Sequence, residues 1–390
     1  MQPRKQVAVL IDPADSWGKQ VILGISGAVR HRLPWDLLIA SRDDQWRFRV
    51  PKTWRGDGII AAIRDVKTEQ HIRSLSLPTV NVSALQLSDH PWYRVNTDDQ
   101  MRAEIAFRHF RDRGFEHFAY YGPPSQRYPD QRGEYFRRTV SQAGFHCETF
   151  KMGRTGRFGW SAQREQALGW LMDLPRPLAV FAADPHPALQ LSEVCRSAEI
   201  HVPEEVAILA GDFDDLLSEV SAPPLSSIVL GSEQLGVESV RMLSGLMRGQ
   251  PPPNPLVLIP PIRVVPREST DTLAISDDEF VRALRYIRIH AHEGLRVNDV
   301  LKVVGISRRL LELRFQKYLN RSPANEIRRV KLEHIKKLLV TTEHPIEVIA
   351  LASGFAGSSQ LCAFFRQATS SSPQAFRREI HRRDGQTQRR

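Results

Sequence analysis

The sequence predicts an α/β core of doubly wound parallel sheets arranged as two lobes, followed by an all-α domain with two helix-turn-helix units. Short apolar, β-branched runs alternate with amphipathic segments through residues 7–265, as in parallel sheets that helices cover on both faces. From residue 279 onward only helical periodicity remains. About 260 residues is large for one such sheet, which favours two lobes with a ligand crevice at the carboxyl ends of the strands.

Each predicted strand is apolar throughout, and the helices between the strands are amphipathic. The predicted strands are Val7–Ile11, Leu37–Ala40, Gly58–Ile63, Pro78–Val82, His117–Gly122, Leu178–Ala182 and Val206–Ala210. The predicted helices of the core are Asp99–Arg113, Ser161–Leu174, Pro187–Ala198 and Ser232–Gly249. Seven prolines between Pro251 and Pro266 exclude a helix there and predict an extended crossing segment. We therefore place the core at residues 1–268, a polar linker at 269–278 and the helical domain at 279–385.

The basic surplus lies entirely in the helical domain. The chain has 54 Lys and Arg against 44 Asp and Glu. Residues 277–390 hold 22 basic and 12 acidic side chains, whereas residues 1–276 hold 32 of each. A neutral body joined to a basic domain is typical of a protein in which one module handles a small molecule and the other meets a polyanion, most often nucleic acid.

Several classes of protein are excluded by missing patterns. The three cysteines form no CxxC pair and have no neighbouring His cluster, so neither a disulfide scaffold nor a metal site is predicted. Residues 1–276 lack GxGxxG, phosphate-loop, GxSxG and HExxH motifs, so we predict no cofactor and no enzyme. The remote alternative is a DNA-modifying enzyme with a reactive cysteine. No membrane span and no signal peptide are apparent in the sequence, which predicts a cytoplasmic protein.

Two segments of the helical domain share one plan: a short helix, a turn at Gly305 or Gly354, then a second helix opened by serine. At 100° per residue, Leu311 and Phe315 face the core in the first unit, and Leu361 and Phe365 do so in the second. The opposite faces carry groups that can reach base edges or phosphates of double-stranded DNA. The predicted DNA-binding residues are Arg308, Arg309, Glu312, Leu313, Gln316, Ser359, Gln360 and Arg366.

Polar residues follow the predicted strands of the core, among them Asp98, Asp184 and Asp212. Carboxylates there can accept hydrogen bonds from sugar hydroxyls, and a guanidinium such as that of Arg132 can donate a fork of them. Each strand-end aspartate could equally be a helix N-cap, and that alternative stays open for each one.

The helical domain resembles the AraC-type DNA-binding domain, through GISRRLLELRFQKYLNRSP, KLEHIKKLL, IEVIALASGF and SSSPQAFRREI. The resemblance implies that both recognition helices enter successive major-groove segments, held apart by a long helix. Asn320 stands at the usual turn glycine, and asparagine tolerates the left-handed conformation. Gly357 and Ala363 stand where an acidic cap and an arginine are common, which weakens the expectation for the second helix.

The core resembles the LacI/GalR-type sugar-sensing core and periplasmic sugar-binding proteins, through VNTDDQMRAEIAFRHFRDRGF, HFAYYG, RGEYF, AVFAAD and HVPEEVAILAGDFDD. The resemblance makes Arg132 and Asp212 ligand residues and Asp184 the acidic member of an Asn-Asp pair whose first member is Ala183 here. It also puts Trp17 where an aromatic side chain stacks on the sugar ring.

A LacI-type core ahead of an AraC-type domain implies a sugar-responsive transcriptional activator. D-xylose is the predicted effector, with another sugar or a nucleobase as alternatives. The resemblance further implies a homodimer that binds an operator and works with RNA polymerase.

Overall fold

The structure is a computed structural model that describes residues 4–30, 33–40, 42–43, 47–51, 54–85, 87–122, 131–151, 160–272, 277–342 and 344–378. These residues fall into two compact units. The first runs to Thr272 apart from Asp112–Gly114, and the second comprises that tripeptide and the residues beyond Thr272. Residues 273–276 of the predicted linker and 379–385 of the predicted helical domain lie outside the described residues.

The predicted fold class is confirmed: an α/β unit of two six-stranded sheets is followed by an all-α unit. The strands are β1 (Lys5–Leu10), β2 (Trp35–Ile39), β3 (Gly58–Ala61), β4 (Thr79–Asn81), β5 (Tyr93–Thr97), β6 (His117–Tyr121), β7 (Cys147–Thr149), β8 (Leu178–Ala182), β9 (Val206–Ala210), β10 (Ser226–Leu230), β11 (Leu256–Ile259) and β12 (Pro261–Val265).

The helices of the core cover both faces of these sheets. They are α1 (Ser16–Val29), α2 (Val66–Ser74), α3 (Asp99–Arg111), α4 (Gln131–Gln142), α5 (Trp160–Met172), α6 (Pro185–Ser197), α7 (Asp215–Val220) and α8 (Ser232–Met247). The helices of the second unit are α9 (Asp278–His290), α10 (Val297–Val304), α11 (Arg308–Leu319), α12 (Pro323–Thr341), α13 (Ile346–Ala352) and α14 (Ser358–Thr369), with further helical residues at 373–378.

The first sheet has the order β11-β5-β4-β3-β1-β2 and is parallel throughout. The second has the order β12-β10-β9-β8-β6-β7, and its edge strand β12 runs antiparallel to β10. The proline-rich segment supplies the edge strands β11 and β12, one to each sheet. Edge positions tolerate proline because the missing N–H is not needed by a second neighbour. All seven of these predicted strands are present, and so is β5, the strand that precedes Asp98, whereas β7, β10, β11 and β12 were not predicted.

The helical unit has two hydrophobic cores that share α12. Phe280, Leu311 and Phe315 lie in the first core together with Ile327 from the start of α12. The second core contains Ile335 and Leu339 from the far end of α12, packed with Leu361 and Phe365. Because each helix-turn-helix unit has its own core, α12 acts as a rigid spacer between them. Its 19 residues span roughly 28 Å at about 1.5 Å per residue.

Candidate functional site

Five charged side chains of the core, three of them buried and two half-buried, come together at strand ends, and we call them the buried charged cluster. Asp184 follows β8, Asp212 follows β9, and Arg132 lies on the first turn of α4. Asp99 and Arg102 lie on the first turn of α3, which follows β5 of the first sheet. Four of the predicted ligand residues were Asp98, Arg132, Asp184 and Asp212; the structure brings the last three into the cluster.

Arg132 holds the cluster together, with 8 % of its surface exposed. Its Nε donates to Asp99 Oδ1 at 3.2 Å, and its Nη1 donates to the carbonyl oxygen of Ala183 at 2.6 Å and to Asp184 Oδ1 at 3.3 Å. Burial by itself lowers the pKa of Arg132, but Asp99 and Asp184 outweigh burial and leave this pKa above its usual range. Arg132 therefore stays a permanent donor.

The pKa of Asp212 lies above its ordinary value. Burial raises its pKa to about 7; Asp184 adds to the increase, while Arg102, the Phe213 amide and Arg132 oppose it. Its Oδ1 accepts a hydrogen bond from the Phe213 amide at 2.7 Å. The backbone before Asp212 requires glycine at residue 211, because a Cβ there would lie 2.3 Å from the carbonyl oxygen of Ala183. The loop after β9 can therefore pack directly on the end of β8.

Arg102 is a member of the cluster that the sequence reasoning missed. Only 2 % of its surface is exposed, and its pKa is lowered by burial and by Arg132, in part offset by Asp99, Asp212 and Asp184. Its Nε lies 3.1 Å from Asp99 Oδ1. A signal was present in the sequence, because Arg102 stands four residues before Ala106 and eight before Phe110, on the apolar stripe of α3.

Asp98 takes the N-cap role that the sequence left open. Its Oδ1 accepts a hydrogen bond from the Met101 amide at 2.9 Å, which caps α3. The neighbouring Asp99, and not Asp98, is the residue whose carboxylate contacts Arg132.

Trp17 lies half-buried on the first turn of α1, where Asp15 caps the helix. The guanidinium of Arg64 lies over its indole ring, 5.3 Å from the ring centroid. The adjacent Ser16 donates a hydrogen bond to Asp214, two residues beyond Asp212. The first turn of α1 therefore meets the loop that carries Asp212.

In the first helix-turn-helix unit, local chemistry sets both ends of α11. Gly305 ends α10 in the left-handed conformation with φ 72°, and Ser307 Oγ caps α11 by accepting from the Leu310 amide at 3.2 Å. Asn320 ends α11 at φ 51°, as the sequence predicted for this substitute of the turn glycine. Leu311 and Phe315 are fully buried, as the helical periodicity predicted.

The five predicted DNA-binding residues of α11 are all exposed. Arg308 Nε pairs with Glu312 Oε1 at 3.0 Å, and Gln316 Nε2 donates to the side chain of Asn320 at 2.6 Å. Arg309 forms no ion pair with any described residue, and 58 % of the Leu313 surface is exposed. This face of α11 thus presents a cation and an apolar side chain beside each other.

In the second helix-turn-helix unit, a glutamate on α13 supplies the acidic cap that α14 lacks at its own N-terminus. Gly357 at the N-cap of α14 has no side chain, but Glu347 Oε2 on α13 accepts a hydrogen bond from the Ser358 amide at 3.0 Å. Hydrogen bonds from Ser358 lower the pKa of Glu347. An anionic group thus meets the start of α14, where the helix dipole favours it.

The predicted DNA-binding residues of α14 are likewise exposed. Ser359, Gln360 and Arg366 lie on the surface, while Leu361 and Phe365 are fully buried. Gln360 Oε1 accepts from the Ala356 amide at 3.2 Å, so the amide nitrogen of Gln360 points away from that bond.

The thiols of the core are poor nucleophiles. Burial raises the pKa of Cys147 to about 12 and that of Cys195 to about 12. Neither thiol therefore supports the alternative of a cysteine-dependent enzyme.

Comparison with known proteins matches three domain families. The XylR N-terminal domain matches residues 6–99, the periplasmic binding protein-like domain residues 107–270, and a helix-turn-helix domain residues 300–379. Among the described residues, no helix has the length and apolar character needed to cross a membrane.

Curated relatives extend over nearly the whole chain. The xylose operon regulatory protein of Escherichia coli strain K12 is 29% identical over 383 residues, covering 96% of this chain and 97% of the relative. That of Haemophilus influenzae is 26% identical over 381 residues, covering 95% and 98%.

Solved structures agree with both the fold and the domain order. The structure of a xylose-binding transcription activator has a TM-score of 0.62 and 27% identity, covering 96% of this chain and 98% of that chain. A regulator in complex with cellobiose, at 20% identity and a TM-score of 0.54, shows the fold of the core alone. The chain is similar over nearly its whole length to the xylose operon regulatory proteins, and like them it is a DNA-binding transcriptional regulator and not an enzyme.

Proposed function

We propose that the core binds D-xylose at the buried charged cluster and that this binding controls how the helical unit engages operator DNA. One observation carries the proposal: carboxylates and guanidiniums converge at strand ends in a chain similar to xylose operon regulatory proteins over 96% of its length. The carboxyl ends of parallel strands are also where ligands of this fold class bind.

The cluster has the chemistry that a pentose needs. Sugar hydroxyls both donate and accept, so Asp184 and Asp212 can accept from them while Arg132 donates to them. We assign Trp17 to the face of the sugar ring, because the first turn of α1 meets the loop that carries Asp212. Asp98 supports the site indirectly, by capping the helix that carries Asp99.

The ligand assignment is tested by isothermal titration calorimetry with D-xylose, L-arabinose, D-glucose and adenine. Arg132→Ala removes the donor that joins Asp99 to Asp184 and breaks the ion pair that Asp184 forms with it, so we expect D-xylose affinity to fall at least about 100-fold. The matched control is Arg137→Ala on the same helix, where Arg137 is exposed and, among the described residues, forms an ion pair with Glu134. Undiminished D-xylose binding by Arg132→Ala would remove the cluster as the site.

We assign DNA recognition to the exposed faces of α11 and α14. The two helices belong to separate cores joined by α12, whose length of roughly 28 Å approaches the roughly 34 Å of one DNA turn. Part of the charge on α12 is engaged within the protein, since Arg329 pairs with the fully buried Glu326 and Lys336 pairs with Glu333. Specific contacts therefore fall to the recognition helices.

Electrophoretic mobility shifts with DNA fragments from upstream of xylose-utilisation genes test this assignment. Arg309→Ala should weaken specific binding by about 10- to 100-fold if the side chain reads a base. The control is Arg285→Ala, an exposed arginine on α9 outside both recognition helices. Equal losses in the two variants would indicate general charge attraction in place of base recognition.

The finer aspects of regulation belong to the same proposal. We expect a cytoplasmic homodimer, because two linked DNA-binding modules raise the effective affinity for a paired site. We also expect activation through RNA polymerase. Sedimentation velocity tests the dimer, and transcription in vitro with and without D-xylose tests the activation. A monomer bound to a single half-site, or repression by D-xylose, would contradict these expectations.

A further inference from the structure

Arg102 lies beside Asp99, but two of its three guanidinium nitrogens are buried without a hydrogen-bond partner among the described residues. Only 2 % of its surface is exposed, and arginine is almost never buried to that extent unless it is paired. Its Nε and Nη1 form no hydrogen bond with any described residue. The Nε lies 3.1 Å from Asp99 Oδ1 but without hydrogen-bond geometry. A buried charged donor in this condition is costly, which makes a purely structural role a poor explanation.

Asp212 presents the complementary acceptor. Among the described ion pairs, none joins Arg102 to Asp212 or to Asp184 within 4.0 Å. The hydrogen bond described for the Asp212 carboxylate is the one it accepts from the adjacent Phe213 amide. Arg102 lies beside Asp99, which accepts from Arg132, and Asp212 follows Gly211, which lies against the same Ala183 carbonyl oxygen that accepts from Arg132. A donor and an acceptor therefore border Arg132 without an ion pair between them.

The geometry points to Arg102 as a ligand-contacting residue that determines specificity. We propose that one hydroxyl of a neutral sugar accepts a hydrogen bond from the Arg102 guanidinium and donates one to the Asp212 carboxylate. This inference rests on the proposed function and names the group of the sugar that these two residues recognise. A hydroxyl fits because it donates and accepts through one oxygen.

The charge of the cluster selects a neutral ligand. Asp99, Asp184 and Asp212 bring three carboxylates against the two guanidiniums of Arg102 and Arg132. A sugar acid or sugar phosphate would add negative charge to a site without a cationic excess, and charge burial of this kind is strongly unfavourable. We therefore commit to an uncharged polyhydroxylated ligand.

The test combines changes in the protein with changes in the sugar. Calorimetry measures D-xylose and its monodeoxy analogues against the full-length protein, Arg102→Met and Arg102→Lys. In the unaltered protein, the analogue that lacks the bridging hydroxyl should bind about 10- to 100-fold more weakly than D-xylose. In Arg102→Met this difference should shrink to within about threefold, while the penalties for the other analogues stay unchanged.

Arg102→Lys keeps a positive charge beside Asp99 but lacks the forked N–H donors of the guanidinium. This variant therefore separates the loss of those donors from a loss of folding. We expect it to fold and to show the same loss of discrimination. Arg108→Met, an exposed arginine on the same helix, is the control and should leave every affinity unchanged. If Arg102→Met and Arg102→Lys weaken D-xylose and all of its analogues by one common factor, Arg102 only supports the fold and the inference is overturned while the proposed function stands. If the unaltered protein binds no sugar of the series, both are overturned.

Discussion

Replacing Asp212 with asparagine should stabilise the core while it removes the sugar response. Burial raises the pKa of Asp212 from the ordinary 3.8 to about 7, so the folded protein pays a free-energy cost to ionise this group. The difference is about 3 pKa units, which at about 1.4 kcal/mol each corresponds to about 4 kcal/mol. Asparagine has the same shape and its side-chain oxygen can still accept from the Phe213 amide, but it carries no charge.

The sign of the pH dependence follows from the raised pKa. Below 3.8 the carboxyl is protonated in both folded and unfolded protein and behaves like the amide. Between 3.8 and about 7 the unfolded chain ionises and the folded chain does not, so the relative cost of aspartate grows with pH and levels off above about 7. We expect Asp212→Asn to raise the free energy of unfolding by about 4 kcal/mol at pH 8 and by about 2 kcal/mol at pH 5.

Urea unfolding of the core, followed by tryptophan fluorescence at both pH values, measures this gain. Asp98→Asn is the matched control at a neighbouring strand end, because asparagine caps helices about as well as aspartate and should change stability by less than about 0.5 kcal/mol. D-xylose binding to Asp212→Asn, measured in parallel, should be lost. A destabilised variant at pH 8, or an equal gain at both pH values, would refute the reasoning about burial and charge.

Further predictions concern the helical unit and the thiols. If the Arg309 guanidinium contacts a phosphate, Arg309→Ala should reduce the slope of log affinity against log salt concentration by about 1. If the guanidinium reads a base, the slope should stay nearly unchanged. Filter binding at salt concentrations from about 50 to about 200 mM distinguishes the two. Asn320→Ala should lower the free energy of unfolding by about 1 kcal/mol, since alanine disfavours φ 51°, whereas Asn320→Gly should not; thermal unfolding decides. Iodoacetamide at neutral pH should spare Cys147 and Cys195, whose pKa values are raised to about 12, and modify the partly exposed Cys362 first; mass spectrometry of the native protein that finds Cys147 labelled first would contradict their burial.

The features that the sequence predicted correctly are those that depend on local chemistry. Apolar runs identify a strand wherever both of its faces are buried, as in β8 and β9. Ser307 at the start of α11 and Asn320 at its end form hydrogen bonds with residues three or four positions away. The helix-turn-helix could therefore be predicted from the sequence.

The features that the sequence did not predict depend on contacts between distant segments. β11 and β12 form because the proline-rich segment pairs with the strands β5 and β10. The sequence of the segment itself does not indicate which strands it will pair with. Asp98 and Asp99 are adjacent and chemically identical, and only the entry angle of α3 decides which one caps the helix and which one meets Arg132. Glu347 is a similar case, because its role at the start of α14 depends on how α13 packs.

The unfavourable charges of the cluster explain how sugar binding could change the conformation of the protein. A ligand shifts an equilibrium only through its difference in affinity for two states. In the buried charged cluster, the ionisation of Asp212 and the unpartnered nitrogens of Arg102 both cost free energy, and one hydroxyl group could offset both. Relief of about 3 kcal/mol would favour the arrangement that brings the two groups onto one sugar oxygen by roughly 100-fold. Asp212→Asn removes the cost of ionising residue 212 in advance, so it should leave the protein more stable and less responsive at the same time.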